Sequence, residues 1–190
     1  MYRLFHPGFD LDVESDDPRI SNPSFPLICD SEYIQLMHLC FSRATLFSMT
    51  RAKWDSSTNE SLEKDLKPFL KKTIKTCHWF CYGVREDSPL DILIFQANRE
   101  TEGSILKYFR DIFLHHRYNG EWRSSTQTLE DLCFFSQNRL FLGTVTHEEL
   151  CYIYPPDKQF ESFIRGNSYW IAEVDSYKQQ VDLSQYGISI

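Results

Sequence analysis

Six histidines, six cysteines and a surplus of carboxylates are the groups in this chain able to do chemistry. His115 and His116 stand close to Tyr118, Asn119 and Glu121. An imidazole beside a carboxylate can take and return a proton at neutral pH, so this run is the best enzymatic candidate. It falls at the end of a helical pattern, where neighbouring residues point about 100° apart. The two rings then diverge, one capping the helix and one at the edge of the core. His147-Glu148-Glu149-Leu150-Cys151 sets an imidazole and a thiol four apart, with acids between. On a strand that spacing is one face, but the two further ligands a zinc site requires are missing at any recognisable spacing. No metal and no cofactor is expected.

The cysteines, at 29, 40, 77, 81, 133 and 151, contain no C-x-x-C pair. They read as reduced thiols, mostly buried as small hydrophobes. The chain also lacks G-x-G-x-x-G, the P-loop, G-x-S-x-G and H-E-x-x-H, so phosphate loops, a hydrolase elbow and a zinc-peptidase helix are not indicated.

The acids carry the clearest pattern. Phe9-Asp10-Leu11-Asp12-Val13-Glu14 alternates with period two, the signature of a strand with Phe9, Leu11 and Val13 inward. Asp10, Asp12 and Glu14 then line the other face, and Asp16 and Asp17 extend the negative field. Like charges in a row cost stability. They can guard an exposed edge or meet a basic partner. The stretch has neither the central glycine nor the terminal glutamate of an EF-hand loop. Glu148 and Glu149, at the tip of an expected hairpin, form a second acidic patch. Trp122, in a polar stretch between Glu121 and Arg123, is a candidate interface anchor. Lys64, Lys67, Lys71, Lys72 and Lys75 make the one basic run, which reads as a solvated helix face; nucleic-acid binding calls for arginines and interleaved aromatics over more chain.

These groups need a scaffold. Asp30 or Ser31 caps a helix whose apolar spacing runs from Tyr33 to about Arg51. A second helix starts near Ser61, and Pro68 breaks or kinks it. Thr73–Val84 and Leu90–Phe95 read as a hairpin, the latter a central strand. Asn98 caps a helix with a stripe at Ile105, Phe109, Ile112, Phe113 and His116, stopped by Gly120. A shorter helix is expected over 128–137. Arg139–Val145 and Leu150–Tyr154 form a second hairpin. Pro156 opens a short helix with Phe160, Phe163 and Ile164 inward, ended by Gly166, and Tyr169–Val174 is a further strand.

At 190 residues the chain is expected to be a single α+β domain spanning residues 1–190, with five or six mostly antiparallel strands and four or five helices. A hydrophobic share of 42% and a charged share of 25% suit a globular protein that needs no disulfides. No apolar run is long enough for a membrane span, and Pro7 and Asp10 interrupt any leader-like start, so the cytoplasm is the expected compartment. The net charge of −7 disfavours nucleic acid, whose binding depends on phosphate neutralisation. It divides unevenly: −4 over residues 1–30, +3 over 31–76, −1 over 77–125 and −5 over 126–190.

The reading that follows is a non-enzymatic cytosolic protein-binding module. Its most economical form is an immunity-type inhibitor that occludes the basic cleft of a nuclease-like bacterial toxin. The contact residues are Asp10, Asp12, Glu14, Asp16, Asp17, Glu148, Glu149 and Trp122. The competing class is a small hydrolase or transferase built on His115, His116 or His147 with a carboxylate.

Overall fold

The computed structural model describes residues 1–5, 28–51, 59–80, 82–114, 116–118, 121–123, 126–148, 150–166, 171–173 and 180–188. In chain order they form β1 (Tyr2–Phe5), α1 (Asp30–Phe41), β2 (Leu46–Arg51), α2 (Ser61–Leu66), β3 (Leu70–Thr76), β4 (His78–Trp79), β5 (Tyr82–Gly83), β6 (Leu90–Gln96), α3 (Arg99–Tyr108), β7 (His116–Tyr118), β8 (Glu121–Arg123), β9 (Leu129–Ser136), β10 (Arg139–Val145), β11 (Leu150–Ile153), α4 (Lys158–Gly166) and β12 (Ile171–Glu173). One eight-stranded sheet holds them together, in the order β12-β1-β11-β10-β9-β2-β6-β3. Every neighbouring pair in it is antiparallel. The α+β class is as expected, with a larger sheet. Among the described residues no helix is long and apolar enough to cross a membrane.

Both faces of the sheet are covered. On one, Phe47 and Met49 of β2, Leu93 and Phe95 of β6, and Phe134 of β9 pack against Tyr33, Leu36, Met37 and Cys40 of α1, Leu62 and Leu66 of α2, and Phe160 and Ile164 of α4. On the other, Ile92, Ile94, Cys133, Phe135 and Leu140 lie beneath Trp79, Leu183 and Ile188. The C-terminal segment is fastened there by backbone hydrogen bonds from Leu140 N to Val181 O (2.9 Å) and Leu183 N to Asn138 O (2.9 Å). Lys72 Nζ adds a bond of 2.6 Å to Tyr186 O. Trp79 meets Tyr186 with ring centroids 5.6 Å apart. Gly143 is required on this face, because a Cβ there would come within 2.8 Å of the Phe80 ring.

Local signals behave as their chemistry dictates. Asn98 Oδ1 accepts from Glu100 N (3.0 Å) and Thr101 N (2.9 Å), and Thr101 Oγ1 accepts from Asn98 N (3.0 Å). This is a capping box at the start of α3. Gln137 and Asn138 both have positive φ, 48° and 66°, the backbone of a two-residue turn that matches the twist of β9 and β10. Pro68 ends α2, and a 3₁₀ turn follows over Lys67–Phe69. The lysine run therefore spans a helix, a turn and β3, and does not coat one helix face.

Three expectations are corrected. The first helix stops at Phe41, and residues up to Arg51 form β2 in the middle of the sheet. Ala44, Phe47 and Ser48 continue the helical spacing of Cys40 and Phe41, which overlays the alternation Phe47-Ser48-Met49-Thr50 of a strand whose polar residues are themselves buried. The segment expected as a helix over 128–137 is β9. A bulge in it places Leu129 and Leu132, three apart, on the same core face, which reproduces helical spacing. The helix from Asn98 ends at Tyr108, not at Gly120, although Phe109, Ile112 and Phe113 are buried beyond it.

The N-terminus of α4 supplies one testable effect. Asp157 Oδ1 accepts from Phe160 N (2.8 Å) and its Oδ2 accepts from Arg43 Nε (2.8 Å). The Phe160 N–H, and after it the Arg43 guanidinium, hold the Asp157 carboxyl below the usual carboxylate range. A folded-state value below the unfolded one means the stabilisation is complete above the unfolded value of about 3.9 and is lost as pH falls through the folded value. Asp157→Ala is expected to cost about 1 kcal/mol at neutral pH, the ordinary worth of an N-cap. Urea unfolding of both proteins should show the gap at pH 7 and its closure in strong acid.

Candidate functional site

The site grows from the bulge in β9. Thr50 pairs with Glu130 and Ser48 with Cys133, so β9 takes three steps where β2 takes two. The extra residue brings Asp131 to φ 55°, a left-handed conformation that aspartate tolerates better than most residues. Bulges bend a strand and re-aim side chains. Asp131 is fully buried and is locked to the turn after β10 by a reciprocal pair of bonds. Asp131 N donates to Thr146 Oγ1 (2.9 Å), and Thr146 N donates to Asp131 Oδ1 (2.8 Å).

That turn, the 3₁₀ segment Thr146–Glu148, carries exposed His147. Glu130, Asp131 and His147 thereby bring one ligand atom each to within 4.8 Å of one another. His147 Nε2 also lies 3.9 Å from Glu148 Oε1, with the Glu148 side chain 51% exposed. The outcome is a corner of three carboxylates and one imidazole, joined by a turn and a bulge.

Beside it lies a cavity of about 310 Å³ whose lining includes Thr50, Arg51, Val84, Arg85, Leu90 and Glu130. Its walls are mainly apolar. Thr50 is 1% exposed, and its Oγ1 has no hydrogen-bond partner among the described residues. Arg51 is already engaged: its Nη2 and Nε bind the Glu63 carboxylate, and its Nη1 lies 3.6 Å from Asp91 Oδ2. It also lines a second hollow of about 330 Å³ with Glu60, Glu63, Lys64 and Lys67. Arg85 is paired with Asp87 at 3.2 Å.

The residues expected to bind a partner are distributed as follows. Asp10, Asp12, Glu14, Asp16, Asp17 and Glu149 lie outside the described residues. Glu148 stands half exposed at the hairpin tip, as expected. Trp122 is on a strand, not in a loop: its backbone on β8 pairs with Arg117 of β7. His116 lies on β7 opposite Arg123, not on a helix, and His115 lies outside the described residues. The spacing of His147 and Cys151, which on a strand would set them on one face, does not bring them together. His147 sits on the exposed turn and Cys151 is buried in β11. Cys40 and Cys133 are buried thiols as well, and burial pushes the Cys40 thiol up. Glu130, Asp131 and Thr50 were not singled out from the sequence. The signal was an adjacent acidic pair inside an apolar run, which a helical reading turns into an exposed helix face.

Comparison with known proteins finds no match: no family model, no curated protein and no solved structure is similar to the chain at a significant level.

Proposed function

We propose that this protein is a binding module that meets a basic protein partner through its carboxylates, in the simplest case an immunity-type inhibitor covering the cleft of a nuclease-like bacterial toxin in the cytoplasm. The observation that supports the reading is the position of the acids. Residues 6–27 hold Asp10, Asp12, Glu14, Asp16 and Asp17 against Arg19 alone. Glu148 is half exposed on a turn beside Glu130 and Asp131. A nuclease cleft is basic because it must hold phosphates, and a surface of opposite sign both speeds its encounter and fixes its register. Trp122, next to Arg123 on β8, is the proposed aromatic anchor.

The test is recovery of the partner from the native cell, followed by association kinetics across a salt series. Asp10→Asn, Asp12→Asn and Glu14→Gln together are expected to slow association by about tenfold at low salt and to flatten the salt dependence. Unchanged affinity and an unchanged salt slope reject the acidic surface.

A second reading has one observation in its favour. The cavity shares Glu130 with the cluster that holds His147, and an imidazole beside a carboxylate at a pocket suits acid–base hydrolysis or group transfer. Turnover abolished by His147→Ala supports it; turnover retained by that variant removes it.

A further inference from the structure

We infer that Glu130, Asp131 and His147 form a binding site for one divalent transition-metal ion of the Zn²⁺ or Mn²⁺ kind, with coordination positions left open beside the cavity. The inference is independent of the partner-binding reading above.

The donor set chooses the ion. One imidazole nitrogen and two carboxylate oxygens suit Zn²⁺, Mn²⁺ and their neighbours. Ca²⁺ and Mg²⁺ favour oxygen alone, and copper(I) favours sulfur. Two carboxylates and a neutral imidazole carry two negative charges, which a divalent ion cancels. The spacing is compatible: ligands about 2.0–2.2 Å from a metal stand roughly 3–4 Å from one another, and the three atoms here already lie within 4.8 Å. His147 is exposed on its turn, which leaves its ring room to turn toward the two carboxylates.

The support around the ligands is also present. Asp131 is fully buried, and a buried carboxylate next to a second one favours a cation between them. Its Oδ1 accepts from Thr146 N, which orients the carboxylate as an outer-shell bond does in a metal centre. The same Asp131–Thr146 pair ties the two ligand-bearing elements, β9 and the turn, into one unit.

A separate observation points to an occupant. Thr50 lies directly across the ladder from Glu130, so the two side chains leave the sheet on the same face. Both line the cavity. The Thr50 hydroxyl is buried and unpartnered among the described residues, a costly arrangement that a small polar ligand or a metal-bound water in the cavity relieves.

Co²⁺ and Mn²⁺ are the probes, added to the full chain after removal of metals with a chelator. The expected result is one ion per chain, a rise in melting temperature, and visible Co²⁺ bands without the charge-transfer absorption of thiolate ligands. Glu130→Gln and His147→Ala are each expected to weaken binding by about 100-fold, with the far-ultraviolet circular dichroism unchanged. Because Asp131 also holds Thr146, its variant is not needed for the test. Absence of stoichiometric binding, binding undiminished in the double variant, or a thiolate band that assigns the ion to the cysteines overturns the inference.

Discussion

Phe47→Ala is expected to cost about 3–5 kcal/mol of folding stability, a large part of the roughly 5–15 kcal/mol available to a protein of this kind. Phe47 is fully buried on β2, the strand between β9 and β6. It pairs in register with Phe95 on one side and Phe134 on the other. Its ring stacks on Phe95 with centroids 5.2 Å apart and meets the edge of Phe41 of α1 at 5.5 Å. Phe134 continues the row to Phe141 at 6.0 Å, and Phe141 reaches Phe160 of α4 at 5.6 Å. One ring therefore joins three strands to a helix, and its removal leaves a cavity that close-packed neighbours cannot fill. Urea unfolding followed by circular dichroism measures the loss. Phe47→Leu, which keeps most of the volume, should lose much less. A cost below about 1 kcal/mol for the alanine variant, typical of an ordinary substitution, would show that the aromatic row is not central to stability.

The second large effect concerns β1. Leu4→Pro is expected to destabilise the protein by about 3 kcal/mol or more, because proline removes a ladder donor and is tolerated only at sheet edges or bulges. β1 is no edge: it pairs with β11 on one side and β12 on the other, and Leu4 faces Cys151 and Ile171 in the two registers. Leu4 is 1% exposed. Tyr2 extends the attachment to α4: its hydroxyl donates to Glu161 Oε1 and accepts from Arg165 Nε at 3.0 Å. The Arg165 guanidinium also lies 5.3 Å from the centre of the Tyr2 ring. Among the described strands β12 pairs only with β1. Hydrogen exchange at Ile171–Glu173 should therefore accelerate in Leu4→Pro before it does in β2 or β6. Protection of β12 that survives the substitution would mean something other than β1 holds it.

Much of the scaffold was legible in the sequence where local chemistry decides conformation. Asn98, Pro68 and Gly166 all act within a few residues, and each produced the expected element or boundary. The misread segments are those whose conformation is set by neighbours far along the chain. β9 is buried on both faces and its residues lack the polar beat that marks a strand, while the beat in β2, Phe47-Ser48-Met49-Thr50, is overlaid by the helical spacing of Ala44, Phe47 and Ser48. β1 is only Tyr2–Phe5, too short for any period to show, and its place between two later strands is a property of the whole sheet. The candidate site is hidden for the same reason. Glu130 and Asp131 meet His147 only because the bulge in β9 and the turn after β10 fall side by side in the hairpin. The sequence does show Glu148 at a hairpin tip, since that needs only the two flanking strands.

The place of β1 also has a consequence in time. Its residues are synthesised long before those of β11 and β12, and Tyr2 must wait for a partner at Ile153. Pairings of such wide separation pay for loop closure before they return any contact, so they form slowly. Until β1 docks, the apolar Leu150–Ile153 strand presents an open edge able to pair with another chain. Adding β1 and β12 to this end of the sheet is thus a late step in folding, and the interval before it is when the nascent protein is most exposed to aggregation.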